Sequence, residues 1–170
     1  GVLPSLLRPE VDESLRFEHR SRHPGRDRFN ALLNYGYGLL YRECLGAVLA
    51  AGLHPGMGFY HRPRSAAHTL VLDLMELFRV LVVDMALVAG LNRLTFEPDS
   101  DFEVRGPAVW LSAEGRKKMV QLVERRKLDE WTHPAIGAPI GYGRMMELEA
   151  RLLEKEWTDD AHLFARVRIR

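Results

Sequence analysis

Between Leu70 and Leu91 the chain carries only four polar side chains, Asp73, Glu76, Arg79 and Asp84, in a run of leucine, valine, methionine, alanine and phenylalanine. A segment this apolar has no stable solvent-facing form, and its length suits a helix over Thr69–Arg93 that is buried almost all round. The rest of the fold must therefore be built around it. At about 100° per residue, with Asp73 as zero, Glu76 falls near −60°, Arg79 near −120° and Asp84 near +20°. All four share a sector of about 140°, and two carboxylates one turn apart require compensation, because a bare buried carboxylate costs several kcal/mol.

The other segments read as helices as well. Asp27 is placed to cap a helix through Phe29, Leu32, Leu40, Val48 and Leu49 that stops before Gly52 and Pro55. The small residues Gly36 and Gly38 inside it would let another element approach closely. Ser112 can cap a helix over Ala113–Glu130, and a last helix is expected over Arg144–Trp157, with Met145, Leu148 and Leu152 in one row beside Met146, Leu153 and Trp157. Phe102–Val104 and Ala108–Leu111 suggest one strand pair, and Ala135–Gly143 a Gly/Pro loop. The expected fold is all-α, a bundle of four to six helices around a buried central helix, with at most one short β-hairpin. One catalytic-type domain over 1–170 is expected, made of a basic loop region (1–26), the helices of the site (27–95) and C-terminal helices (96–170).

Composition narrows the class. With 46% hydrophobic residues and a net charge of +1, the 170-residue chain is not disordered, and with Cys44 as its one cysteine it is not a disulfide scaffold. No apolar stretch reaches the ~20 residues of a membrane span, and no signal peptide is seen, so a cytoplasmic location away from membranes is expected. Arg16, Arg20, Arg22, Arg26 and Arg28, with His19 and His23, form a basic run suited either to a polyanion or to a solvated loop. Arg116, Lys117, Lys118, Arg125, Arg126 and Lys127 spread around their helix and read as solvated.

His61 lies twelve residues before Asp73 and fifteen before Glu76, in a loop with Arg62 and Arg64. Folded back on the helix, the imidazole and carboxylates make a mixed nitrogen and oxygen donor set suited to Mg²⁺ or Mn²⁺. Such an ion activates water or a 3′-hydroxyl at a phosphodiester, and the arginines would hold phosphate. The competing reading is an ion-pair ladder on a solvent-facing stripe, with His61 a loop residue. His54, His68, His133 and His162 have no carboxylate at a telling distance and read as turn or surface residues.

Three blocks carry a family likeness: Arg26-Asp27-Arg28-Phe29-Asn30-Ala31-Leu32-Leu33-Asn34-Tyr35-Gly36-Tyr37, then Ala50-Ala51-Gly52-Leu53-His54-Pro55-Gly56-Met57-Gly58-Phe59-Tyr60-His61, then Leu72-Asp73-Leu74-Met75-Glu76-Leu77-Phe78-Arg79. In order and spacing the chain resembles the helical C-terminal domain of the CRISPR-associated endonuclease/integrase of spacer acquisition. The resemblance implies a metal-dependent DNA nuclease and integrase that works as dimers around a small partner protein, on branched or short duplex DNA and a repeat array. It implies His61 and Glu76 as metal ligands, with Asp73 assisting directly or through water as a third metal-site and catalytic residue. Arg62, Arg64 and Arg79 would be DNA-binding residues, and Asn30 would be structural. The family has a further glutamate ligand in an earlier Glu-Gly motif and an N-terminal β domain. Glu10, Glu13 and Glu18 stand in no such motif, and Glu43 lies on the wrong side of the first long helix, so the expectation is a C-terminal fragment. The alternatives are a non-catalytic DNA-binding module and a helical protein scaffold.

Overall fold

A computed structural model describes residues 3–21, 24–61, 68–159 and 164. Among them are five α-helices, α1 (Arg28–Ala50), α2 (Thr69–Phe78), α3 (Met85–Asn92), α4 (Ala113–Lys127) and α5 (Tyr142–Asp159). There are also two antiparallel strand pairs, β1 (Phe102–Arg105) with β2 (Ala108–Leu111) and β3 (Glu130–Thr132) with β4 (Pro139–Gly141). The all-α expectation holds, with one more short strand pair than expected. β3 takes residues assigned to the end of the fourth helix, which stops at Lys127, and β4 takes part of the Gly/Pro loop. Proline is tolerated there because a two-stranded pair consists of edges alone.

The residues cluster into two compact units, Gly1–Leu39 with Leu81–Arg125 and Leu40–Val80 with Arg126–Arg170. In the first, Asp27 caps α1, its Oδ1 accepting the Asn30 N–H at 2.7 Å. Phe29, Leu32, Val82, Leu87 and Met119 are fully buried. Gly36 is needed for close approach: a Cβ there would lie 2.6 Å from Val83 Cγ1 and 2.7 Å from Met119 Cε, whereas one at Gly38 would meet nothing within 4 Å. Ser112 caps α4 as expected, its Oγ accepting the Gly115 N–H at 3.1 Å.

Part of the basic run bonds to the protein itself, while His19, Arg20 and Arg26 stay exposed. Arg16 donates to the carbonyls of Arg8, Pro9 and Val11. Arg20 donates to Asn30 Oδ1 at 2.8 Å and Asn34 Oδ1 at 2.7 Å, and Arg28 to the Pro98 carbonyl at 3.1 Å. Asn30, fully buried, also donates to the His19 carbonyl and to Asp27 Oδ2, so its structural role is to clip this loop to the start of α1. Arg22 and His23 lie outside the described residues. Cations of α4 expected to be solvated are engaged: Lys118 Nζ sits 2.7 Å from buried Asp101 Oδ2, Arg116 donates to the Leu111 carbonyl, Arg126 Nη1 lies 2.7 Å from Asp129 Oδ2, Lys127 Nζ 2.8 Å from Glu43 Oε2 and Lys117 Nζ 3.9 Å from Glu114 Oε2.

The central segment is not one regular α-helix. Between α2 and α3, Arg79–Asp84 form a π-helical turn, whose i→i+5 bonding reduces the rotation per residue. A fixed 100° wheel therefore fails beyond Arg79. Asp84 belongs to the first unit, where its Oδ1 accepts the Tyr37 hydroxyl at 2.8 Å. The segment is also not buried all round: Glu76 and Val80 are exposed. No helix among the described residues is long and apolar enough to cross a membrane.

In the second unit Leu40, Cys44, Leu70, Leu74, Phe78, Met145 and Met146 are buried almost completely. Cys44 Sγ lies 4.0 Å from Met146 Sδ, and burial pushes its thiol pKa well up. Leu152 and Leu153 are buried as expected, while Trp157 is half exposed.

Candidate metal centre

The loop before His61 is held in place by one carboxylate. Asp73, on the second turn of α2, has a fully buried side chain. Its Oδ2 accepts the N–H groups of Phe59 at 2.7 Å and Tyr60 at 3.0 Å, and its Oδ1 accepts the His61 N–H at 2.9 Å. Oδ1 also lies 2.5 Å from His61 Nδ1. Two sequence details permit this approach. Gly58 has no side chain, and a Cβ there would sit 2.7 Å from both Asp73 Oδ2 and the Thr69 backbone carbon. Thr69 in turn bridges the loop, its hydroxyl donating to the Gly56 carbonyl at 2.7 Å and accepting the Gly58 N–H at 2.9 Å.

Burial alone would raise the Asp73 pKa. The hydrogen bonds from Tyr60, His61 and Phe59 outweigh it and hold the carboxyl below the usual carboxylate range. An ionised Asp73 oxygen against Nδ1 makes that ring nitrogen the proton donor of the contact, which leaves Nε2 as the nitrogen turned away from Asp73. That Nε2 faces Glu76, with Oε1 3.9 Å away. Arg79 Nη1 lies 2.9 Å from the same oxygen, one turn further along the helix.

The sequence-derived set is thus brought together, but not as three equivalent ligands. Four donors already occupy the two oxygens of Asp73, which makes it the group that orients His61 rather than a third donor. No group of three or more His, Cys, Asp or Glu side chains among the described residues is arranged to hold a metal ion. The chemistry present is a pair, an imidazole nitrogen and an exposed carboxylate oxygen, with a guanidinium beside it. The two atoms lie 3.9 Å apart and the oxygen is shared with Arg79, so these are the residues that would hold a divalent ion once Glu76 turns from that ion pair. Mg²⁺ characteristically keeps several waters and takes one or two carboxylates plus substrate phosphate. Arg62 and Arg64, expected to bind DNA, lie outside the described residues.

Two histidines depart from their sequence reading. His68 is half-buried at the start of α2 and lies 2.6 Å, through Nδ1, from the Tyr41 hydroxyl. His133 is fully buried, its Nε2 2.9 Å from Glu149 Oε1 and its Nδ1 accepting the Ala135 N–H at 3.1 Å. The missed signal was Glu149 itself, a lone carboxylate on the face of α5 that also carries Met145, Met146, Leu152 and Leu153.

Residues 1–125 match the family described as "CRISPR associated protein Cas1". The chain belongs to the Cas1 family. It is 52% identical over 170 residues to a CRISPR-associated exonuclease Cas4/endonuclease Cas1 fusion of Myxococcus xanthus, covering 100% of this chain and 30% of the relative. Among solved structures it is similar to a casposase bound to integration product, with a TM-score of 0.83 and 26% identity over 99% of this chain and 49% of that one. It is also similar to a chain of a Cas6-RT-Cas1–Cas2 complex, with a TM-score of 0.78 and 26% identity over 94% of this chain and 18% of that one. The chain thus spans about a third of the length of the fusion relative, and the Cas1 family likeness places the His61 loop and α2 inside the matched region.

Proposed function

We propose that this Cas1-family chain carries the cation-binding part of a metal-dependent DNA endonuclease/integrase of CRISPR adaptation, which inserts short DNA spacers into a repeat array by phosphodiester transfer. The observation that carries this reading is the convergence of His61 Nε2 and Glu76 Oε1 at 3.9 Å, behind a carboxylate that fixes the imidazole. The casposase bound to integration product supports DNA strand joining as the chemistry. The Cas1–Cas2-containing complex supports a small adaptation protein as partner, and the family resemblance supports work as a homodimer.

Mg²⁺ or Mn²⁺ held there would supply a Lewis acid for the phosphate and a lowered pKa for an attacking water or 3′-hydroxyl. His61 contributes a nitrogen whose direction is set by Asp73, the carboxylate–histidine arrangement that fixes tautomer and ring angle at metal sites. Glu76 contributes the anionic oxygen and stays within reach of solvent and substrate. Arg79 stands where its guanidinium can grip a phosphate oxygen next to Glu76, and Arg62 and Arg64 are assigned the same task.

Mn²⁺ binding by calorimetry, followed by strand transfer on branched DNA, tests the reading. His61→Ala and Glu76→Ala should each lower Mn²⁺ affinity at least tenfold and abolish metal-dependent transfer. Unchanged Mn²⁺ affinity in both variants would show the assignment to be wrong. A module that binds DNA through the N-terminal basic run alone would instead show salt-sensitive DNA binding that does not depend on Mn²⁺.

A further inference from the structure

Large apolar side chains stand in solvent on the loop that leads to His61: Phe59 is 52% exposed and Tyr60 77%. The backbone that carries Tyr60 is held, so the ring leaves from a fixed point of the chain. The Tyr60 N–H and those of its two neighbours are all bonded to Asp73, at 2.7, 3.0 and 2.9 Å along the chain. The ring is also set in orientation: its centroid lies 5.5 Å from that of His61, with the planes at 81°. Phe59 is partly used, edge-on to Phe164 at 5.6 Å. Tyr60 is therefore an exposed aromatic surface on a held backbone, one ring's width from the imidazole whose other nitrogen faces Glu76.

A flat π surface held beside a phosphodiester-handling group matches what an unpaired or splayed nucleobase stacks upon. We propose that Tyr60 is a base platform: it stacks on the nucleobase next to the reacting phosphate and holds that nucleotide out of the duplex. This rests on the DNA-processing reading of the His61–Glu76 pair. Every base has a π face, so the platform places the nucleotide without selecting its identity. It favours branched or frayed DNA over intact duplex, in which the base is already stacked.

The test uses the full chain with Mn²⁺ and branched DNA carrying 2-aminopurine, or an abasic site, next to the reacting phosphate. The parent should quench 2-aminopurine fluorescence on binding. Tyr60→Ala should lose the quenching and weaken binding by about 5- to 150-fold, while Tyr60→Phe and Tyr60→Trp retain both. The abasic substrate should weaken the parent by the same factor and leave Tyr60→Ala unaffected, because ring and base are then two halves of one contact. If the two losses multiply, or if Tyr60→Ala binds and quenches like the parent, the platform is overturned while strand transfer by the parent still upholds the DNA reading. A loss on Tyr60→Ala that is equally large on the abasic substrate is that same overturning result, since the ring then acts without the base. Failure of the parent to bind this DNA overturns both. Thermal unfolding of Tyr60→Ala should match the parent, since the ring removed is solvent-exposed.

Discussion

His61 Nδ1 lies 2.5 Å from Asp73 Oδ1, and the same carboxylate holds three successive backbone amides of the loop that carries the histidine. One buried side chain therefore sets the position of the loop and the proton on the ring. The donor nitrogen that faces Glu76 depends on both.

Asp73→Asn should separate this role from that of a ligand. Because the Asp73 pKa is lower in the folded than in the unfolded chain, the carboxylate stabilises the fold above the unfolded value of about 3.9. That contribution is lost as pH falls through the folded value, since the unfolded chain then binds the proton first and the folded chain follows. At pH 7 the variant should lose about 1.5–3 kcal/mol in urea unfolding, the usual worth of hydrogen bonds to a charged group. The gap between parent and variant should narrow well below pH 4. An equal gap at pH 7 and pH 3 would contradict the assignment.

Gly58→Ala should displace the same loop from its other side. The added methyl would meet the Thr69 backbone, which cannot yield, as well as Asp73 Oδ2. A destabilisation of about 1–3 kcal/mol is expected, together with weaker Mn²⁺ binding. Gly38→Ala is the matched control: it lies within α1 with open space around its missing Cβ, and should stabilise the chain by about 0.5–1 kcal/mol.

The His133–Glu149 pair should show the asymmetry of a buried charge. His133→Ala leaves the Glu149 carboxylate enclosed without its imidazole, and should cost on the order of 3 kcal/mol or more by chemical denaturation. Glu149→Gln keeps an oxygen to accept the Nε2 proton and should cost much less. Equal losses in the two variants would mean that the pair is not held by that bond.

Cys44 should not react with thiol reagents in the native chain. It is fully buried and its thiol pKa is raised by burial, so labelling should appear only with unfolding. Rapid labelling under native conditions would show that the second unit opens readily around α5.

Much of this arrangement was legible where the signal is local. Asp27 and Ser112 announced helix starts because a cap needs only three or four residues to be recognised, and Phe102–Leu111 announced a hairpin for a similar reason. His61, Asp73 and Glu76 were legible as a group because an apolar helix cannot leave its carboxylates unexplained. The division of labour among them was not, because the three amides that saturate Asp73 carry no side-chain signature. His133 and Glu149 are sixteen residues apart, joined by a turn and a strand, and spacing alone does not indicate such a contact. The π-helical turn was invisible to a wheel that assumes one rotation throughout, and the Tyr37 partner of Asp84 leaves no local signal.

Three consecutive peptide N–H groups converging on one point form a concave receptor of the kind that elsewhere captures a phosphate group. In this loop the receptor is plugged from within by the protein's own Asp73. For the nucleic acid proposed as substrate, this main-chain receptor is closed, which leaves the grip at this position to side chains such as Arg79. A swap of arginine for a shorter or neutral residue around this helix should therefore go uncompensated by the surrounding peptide groups.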